Sequence, residues 1–147
     1  MHAVRSRSRS GPWLALAGLA LLTAGGCGSN RTHPVRGKLV YEDNGQPVKE
    51  LAGYEVTFTS EKLGKSSRGT IRDDGTFELG TVKENDGAYP GEYVVILTQP
   101  HRVAERPGGG DPVVDLAYED PGKSDLKVEV KPEANDFTLK LRRIQRK

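Results

Sequence analysis

The chain of 147 residues contains one cysteine, one methionine, one tryptophan and three phenylalanines. A single thiol excludes an internal disulfide framework and a zinc site built from cysteines. The three histidines, His2, His33 and His101, stand far apart in sequence. No Gly-x-Ser-x-Gly elbow occurs, so the spacing by which a serine nucleophile is usually recognised is missing. No uninterrupted apolar run reaches the roughly 20 residues that span a bilayer. A large charge of one sign is lacking as well, since 22 Lys+Arg face 20 Asp+Glu for a formal net charge of +2. What the chain has in quantity is glycine (18) and proline (9), beside 35% hydrophobic residues. That composition describes one modest, turn-rich domain and argues against a long helical bundle or a polytopic membrane protein.

The N-terminus has the order of a secretory leader. Arg5, Arg7 and Arg9 alternate with serines and no acid, residues 13–24 are apolar, and small residues end the segment at Ala24-Gly25-Gly26-Cys27. A basic head, a short apolar run and small residues before a cut are the features of a signal peptide. Placed directly before the apolar run, the Arg-Ser alternation reads as that basic head and not as a nucleic-acid-binding segment. No two arginines adjoin, so a twin-arginine export signal is not supported. The junction resembles the lipobox of bacterial lipoproteins, which implies that Cys27 is lipidated and becomes the N-terminus. It departs from that pattern at Ala24, where leucine is usual, and Leu22 stands further back. Ala24-x-Gly26 also suits an ordinary signal peptidase, which would leave Cys27 a free thiol. With Gly28 and no Asp after the cysteine, the resemblance implies the outer membrane. Removal of residues 1–26 takes away three Arg and no acid, which turns +2 into −1. The mature body therefore has no basic surplus to draw nucleic acid.

Beyond a short polar tether at residues 27–33 the apolar period is 2. Val35, Gly37, Leu39 and Tyr41 alternate with polar neighbours, and Asn44-Gly45 makes a turn. Tyr54, Val56 and Phe58 alternate next. Gly69 and Ile71 lead into Asp73-Asp74-Gly75, and Phe77 and Leu79 lead out, which predicts a hairpin. Tyr93, Val95 and Leu97 follow Pro90-Gly91. Val94 and Ile96 are apolar too, which predicts cover on both faces of that strand. Leu126, Val128 and Val130 then pair with Phe137, Leu139 and Leu141 across a turn at residues 131–135. Seven short strands without a helix predict an all-β fold, a seven-stranded antiparallel β-sandwich over residues 34–142, with residues 143–147 as a basic tail.

Residues 99–121 break this rhythm. Loops of that length in a small domain are functional or mobile, which makes this one the candidate binding loop. Its candidate residues are His101, Asp111, Asp115, Tyr118, Glu119 and Asp120. The acids Asp111, Asp115, Glu119 and Asp120 offer oxygens of the kind calcium takes, but in no EF-hand spacing. His33 and His101 as a transition-metal pair lack two further ligands. No metal is therefore expected, and Asp73-Asp74-Gly75 reads as turn chemistry. Tyr41, Tyr54 and Tyr93 fall at inward parity, whereas Tyr89 and Tyr118 stay open as stacking surfaces for a sugar. In the tail, Lys140, Arg142, Arg143, Arg146 and Lys147 have no acid among residues 137–147. They read as a solvated exit from the last strand, with contact to anionic lipid as the alternative.

Several of these motifs occur together in one known family. Val35-x-Gly37-x-Leu39, Asn44-Gly45-Gln46-Pro47-Val48 and Leu51-Ala52-Gly53-x-x-Val56-x-Phe58 come first. Asp74-Gly75-Thr76-Phe77-Glu78-Leu79 and Pro90-Gly91-Glu92-Tyr93-x-Val95 follow, and then Tyr118-x-Asp120-Pro121-x-x-Ser124-x-Leu126 and Val130-x-x-x-x-Asn135. The series resembles the carboxypeptidase regulatory-like, transthyretin-like modules carried by small bacterial lipoproteins, over residues 33–142. The resemblance implies a prealbumin-like (Ig-like) sandwich that is not an enzyme, has no catalytic residues and takes no cofactor. An enzymatic branch of that fold hydrolyses 5-hydroxyisourate and closes on Tyr-Arg-Gly-Ser, whereas here Arg143-Ile144-Gln145-Arg146-Lys147 stand last. The expected function is that of a lipid-anchored binding or structural module of the bacterial envelope, facing the periplasm or the surface. Its expected partners are the membrane, through lipid on Cys27, and an envelope protein or glycan, with no nucleic acid. The alternative is a small-ligand or carbohydrate carrier that uses the 99–121 loop.

Overall fold

A computed structural model describes residues 30–99 and 112–144. Seven strands follow one another: β1 (Val35–Tyr41), β2 (Glu55–Ser60), β3 (Lys65–Thr70), β4 (Thr76–Glu78), β5 (Gly91–Thr98), β6 (Lys127–Val130) and β7 (Asn135–Leu141). Two 3₁₀ turns, Lys49–Leu51 and Leu116–Glu119, are the only helical pieces among the described residues. Three strands form one sheet in the order β4-β1-β7, and four form the other in the order β3-β2-β5-β6. The fold is an all-β sandwich of seven strands, as the period-2 pattern predicts.

The inward residues of each strand meet between the sheets. Val56 and Phe58 of β2, Tyr93, Val95 and Leu97 of β5, Phe77 of β4 and Leu139 and Leu141 of β7 are all buried. Phe58 joins the two layers, with ring centroids 5.9 Å from Phe77, 5.8 Å from Phe137 and 6.2 Å from Tyr93. Gly37 makes room for this cluster, because a Cβ there would lie 2.5 Å from the Phe77 ring. Val94 and Ile96, expected to be covered, point to the outer face and are half-buried opposite Thr59 and Thr57.

The connections differ from the expected antiparallel sandwich in three places. First, β1 and β7 pair in parallel, Val35 beside Asn135 through Tyr41 beside Leu141. A parallel pair needs a crossover, and here nearly the whole domain lies between the two strands. Second, the Asp74-Gly75 turn closes the expected hairpin, with Arg72 N–H donating to Thr76 C=O and Arg68 and Gly80 exchanging backbone hydrogen bonds, but its two arms belong to different sheets. Ile71 still bonds to Tyr54 beside β2, whereas Gly75 C=O accepts the Leu39 N–H of β1, so the turn carries the chain between sheets. Asp74 Oδ1 holds that corner by accepting from the N–H and hydroxyl of Thr76 at 2.9 and 2.6 Å. Third, β6 and β7 lie in different sheets. Asn135 braces the corner between them, accepting from Lys131 N–H and donating to the carbonyls of Lys131 and Glu133.

Strand directions set the two ends of the sandwich. His33, just before β1, exchanges backbone hydrogen bonds with Ala88, just before β5. The ends of β1, β5 and β7, and with them the described part of the long loop, therefore lie at the opposite end.

Candidate functional site

The described half of the candidate loop, residues 112–121, is tied to the exit of β7. Val114 and Arg143 form an antiparallel bridge, Asp115 N–H donates to Arg142 C=O at 3.0 Å, and Ile144 N–H donates to Val113 C=O at 3.3 Å. The chain then turns into Leu116–Glu119, because Asp115 Oδ1 accepts the Ala117 N–H at 3.0 Å and caps that turn. Short acidic side chains favour such local caps over continued strand pairing.

Arg142 is the clamp of this region. Its Nε and Nη2 donate to Asp115 Oδ2 at 3.3 and 3.2 Å, and its Nη1 donates to Asp125. Its backbone N–H donates to Tyr118 Oη at 3.1 Å, and its guanidinium lies 5.3 Å from the centre of the Tyr118 ring. The Ala117 N–H, and then the Arg142 guanidinium, hold the Asp115 carboxyl below the usual aspartate range. Burial pushes the Tyr118 hydroxyl above the ordinary tyrosine value.

Arg143 makes a second, neighbouring contact set. Its Nε donates to Asp43 Oδ2 at 3.1 Å, and its guanidinium stacks 3.3 Å from the centre of the Tyr41 ring. Burial first, and then the nearby Glu50, raise the Tyr41 pKa. Tyr41, Glu50, Pro112, Val113, Arg143 and Ile144 line a shallow depression of about 330 Å³. Two larger surface grooves lie elsewhere. One, of about 470 Å³, runs beside Arg68, Arg72, Glu78 and Lys83, and the other, of about 520 Å³, runs beside Thr59, Lys62, Glu92 and Lys127. In the first, Arg72 is paired to Glu78 at 3.4 Å and Arg68 to Glu55 at 3.8 Å, so its charges are largely matched within the chain.

The sequence-derived candidates are thus distributed as follows. Asp115 and Tyr118 come together at Arg142. Tyr118, expected as an open stacking surface, is instead 1% exposed and belongs to the core, because Arg142 and the 3₁₀ turn draw its ring inward. Glu119 accepts from the Gln99 amide at 3.5 Å. Asp120 accepts the Gly122 N–H at 2.8 Å and pairs with Lys123 at 3.3 Å, apart from the Arg142 cluster. Those contacts with Gly122 and Lys123 also lower its pKa. His101, Asp111 and Cys27 lie outside the described residues, as do the leader at 1–26 and tail residues 145–147. Among the described residues no three His, Cys, Asp or Glu gather in a metal-holding group, and no helix is long and apolar enough to cross a membrane.

Arg142, Arg143, Asp43 and Asp125 were absent from the candidates. Arg142 and Arg143 read in sequence as part of a basic tail, since their partners lie 17 to 100 residues away. The local signal was the Asp115-x-Ala117 cap, which marks where the loop stops being irregular.

No family model matches the chain, and no curated protein matches it. Among solved structures it is similar to a DUF3823 family protein from Parabacteroides merdae, with 18% identity and a TM-score of 0.41 over 77% of this chain and 46% of that one. A DUF3823 family protein from Bacteroides uniformis is similar at 20% identity and a TM-score of 0.42, over 75% of this chain and 43% of that one. A 9R-lipoxygenase from Cyanothece matches at 15% identity and a TM-score of 0.37, over 76% of this chain and 17% of that one. The chain spans less than half the length of each of these proteins.

Proposed function

We propose that this chain is a non-catalytic, transthyretin-like β-sandwich module, exported and lipid-anchored through Cys27, that works by binding or display in the bacterial envelope, at the outer membrane. The observation that supports it is the use made of the loop's polar side chains. Asp115, Tyr118 and Asp120 hold backbone N–H groups and neighbouring cations, which uses these side chains to fold residues 112–121 onto the sandwich and leaves none of the three as a poised acid or base. Between Cys27 and Val35 the chain can extend no more than about 29 Å, so an anchor at Cys27 keeps the sandwich at the membrane surface. One chain of lipid binds only marginally, and stable anchoring takes more than one. The test is metabolic labelling with a radiolabelled fatty acid. Wild type should carry label and Cys27→Ala should carry none, whereas equal labelling refutes the anchor.

A second reading, a carrier of a small ligand or glycan, is favoured by the depression beside Tyr41, Pro112 and Arg143. The Tyr41 ring there is buried beneath the Arg143 guanidinium, so the groups that face solvent are the Arg143 cation and the Glu50 acid, which suit a polar ligand. Saturable binding of an envelope glycan that is lost in Arg143→Ala supports this reading, and binding unchanged by that substitution refutes it.

A further inference from the structure

Among the described residues, β7 has one edge without a partner. Asn135 N–H donates to Pro34 C=O, and Leu141 C=O accepts from Glu42 N–H, so the odd-numbered residues of β7 turn their backbone groups toward β1. Backbone groups alternate along a strand. Asp136, Thr138 and Lys140 therefore turn theirs to the opposite edge. Arg142 confirms the parity, because its N–H and C=O meet Tyr118 Oη and the Asp115 N–H on that outer side. At Asp115 the covering segment turns away into its 3₁₀ turn. Below that point β7 pairs with β1 alone among the described residues.

The same three residues carry exposed side chains on the outer face of the sheet. They read acid, hydroxyl, base, spaced evenly about Thr138. Neither Asp136 nor Lys140 joins an ion pair among the described residues. An open strand edge is a template for another strand, and this one is complementary to itself. We propose that the free edge of β7 is the interface of a symmetric homodimer, in which two copies of β7 pair antiparallel about a two-fold axis at Thr138.

In that register Asp136 of each copy stands directly opposite Lys140 of the other, and the two Thr138 residues face one another. Asp136, Thr138 and Lys140 form hydrogen-bonded pairs that use the free N–H and C=O groups. On the inner face Phe137, half-buried within one copy, lies opposite Leu139 of the other in the close, non-hydrogen-bonded position. The other registers are poorer. A two-fold axis at Asp136 or at Lys140 sets like charges opposite, which is destabilising. An axis at Phe137 sets Asp136 against Thr138, and one at Leu139 sets it against Arg142, whose backbone groups are already taken. The interface is isologous and closes on two copies.

Sedimentation equilibrium of the full chain in density-matched detergent tests this. Wild type should dimerise. Lys140→Glu and Asp136→Lys each replace both opposite-charge pairs by like-charge pairs, and each should weaken the dimer by about tenfold or more. The double variant Asp136→Lys/Lys140→Glu is self-complementary again and should recover wild-type association, which also separates an interface effect from a folding defect. Wild type that stays monomeric up to about 1 mM overturns the proposal. A double variant no better than either single one also overturns it, as does a monomer whose β7 edge instead captures an unrelated envelope protein.

Discussion

Asp115 and Arg142 are joined twice, once through the backbone and once through the side chains. The Asp115 N–H donates to the Arg142 carbonyl at 3.0 Å, and the Arg142 guanidinium donates to Asp115 Oδ2 at 3.3 and 3.2 Å. The carboxylate that ends the strand pairing by capping Ala117 is thus the one that secures the turn to β7. Residues 112–121, which read as irregular, are thereby braced against the far end of the sandwich.

Asp115→Ala removes the cap and the ion pair together. The cap is worth about 1 kcal/mol, and the solvent-screened ion pair with Arg142 adds little to it. Hydrogen exchange at Ala117 should accelerate in the variant, while amides in β2 keep wild-type protection. Asp115→Asn retains an acceptor for the Ala117 N–H and should lose less.

Phe58 touches Phe77, Phe137 and Tyr93, and so joins both sheets. Phe58→Ala should cost about 3–5 kcal/mol, read as a lower urea midpoint. Glu129→Ala, exposed on β6, should stay within about 0.5 kcal/mol of wild type.

Gly37 and Gly45 require glycine for different reasons. At Gly37 a Cβ would meet the Phe77 ring at 2.5 Å and Phe137 C=O at 2.7 Å, whereas at Gly45 there is open space but φ is +68°. Gly45→Ala should cost about 1 kcal/mol, from backbone strain alone. Gly37→Ala forces the core apart and should cost about 1–3 kcal/mol or more. Thermal unfolding of the two variants ranks them, with Gly37→Ala the lower melting.

Asp86 governs part of the acid limb of stability. Burial raises its pKa, but three hydrogen bonds from the N–H groups of Thr81, Lys83 and Val82 outweigh it and hold the carboxyl below its ordinary 3.8. A carboxyl depressed on folding contributes stability above its unfolded pKa and loses it as pH falls through the folded one. Wild type should therefore keep its urea midpoint down to about pH 5 and lose it progressively below about pH 4. Asp86→Asn, which cannot titrate, should start lower at pH 7 and fall less steeply. An acid limb of equal slope in the two proteins would contradict this.

Strand identity was legible in the sequence because it is a local property. Val35 to Tyr41, Tyr93 to Leu97 and Phe137 to Leu141 each alternate within a few residues, and a half-buried strand needs no more than that. Turn chemistry was legible for the same reason, since Asp74 and Asn135 bond to groups within four residues. Pairing was not. Nothing near β1 or β7 announces that they run side by side in parallel, and nothing in Asp73-Asp74-Gly75 says that the two arms of its hairpin join different sheets.

The candidate site divides along the same line. Asp115 was visible as a loop acid, but Arg142, Asp125 and Asp43 acquire their partners only when distant segments meet. Val48, Leu51, Ala88, Val114 and Tyr118 are buried, yet they sit in turns where no period marks an inward face. Local backbone preference and alternation determined the seven strands and most of their turns. Sheet order, the parallel closing pair, the Arg142 clamp and the open edge of β7 were decided by how two curved sheets close over one core. That closure depends on contacts between residues far apart in the chain, and no short window of sequence contains them.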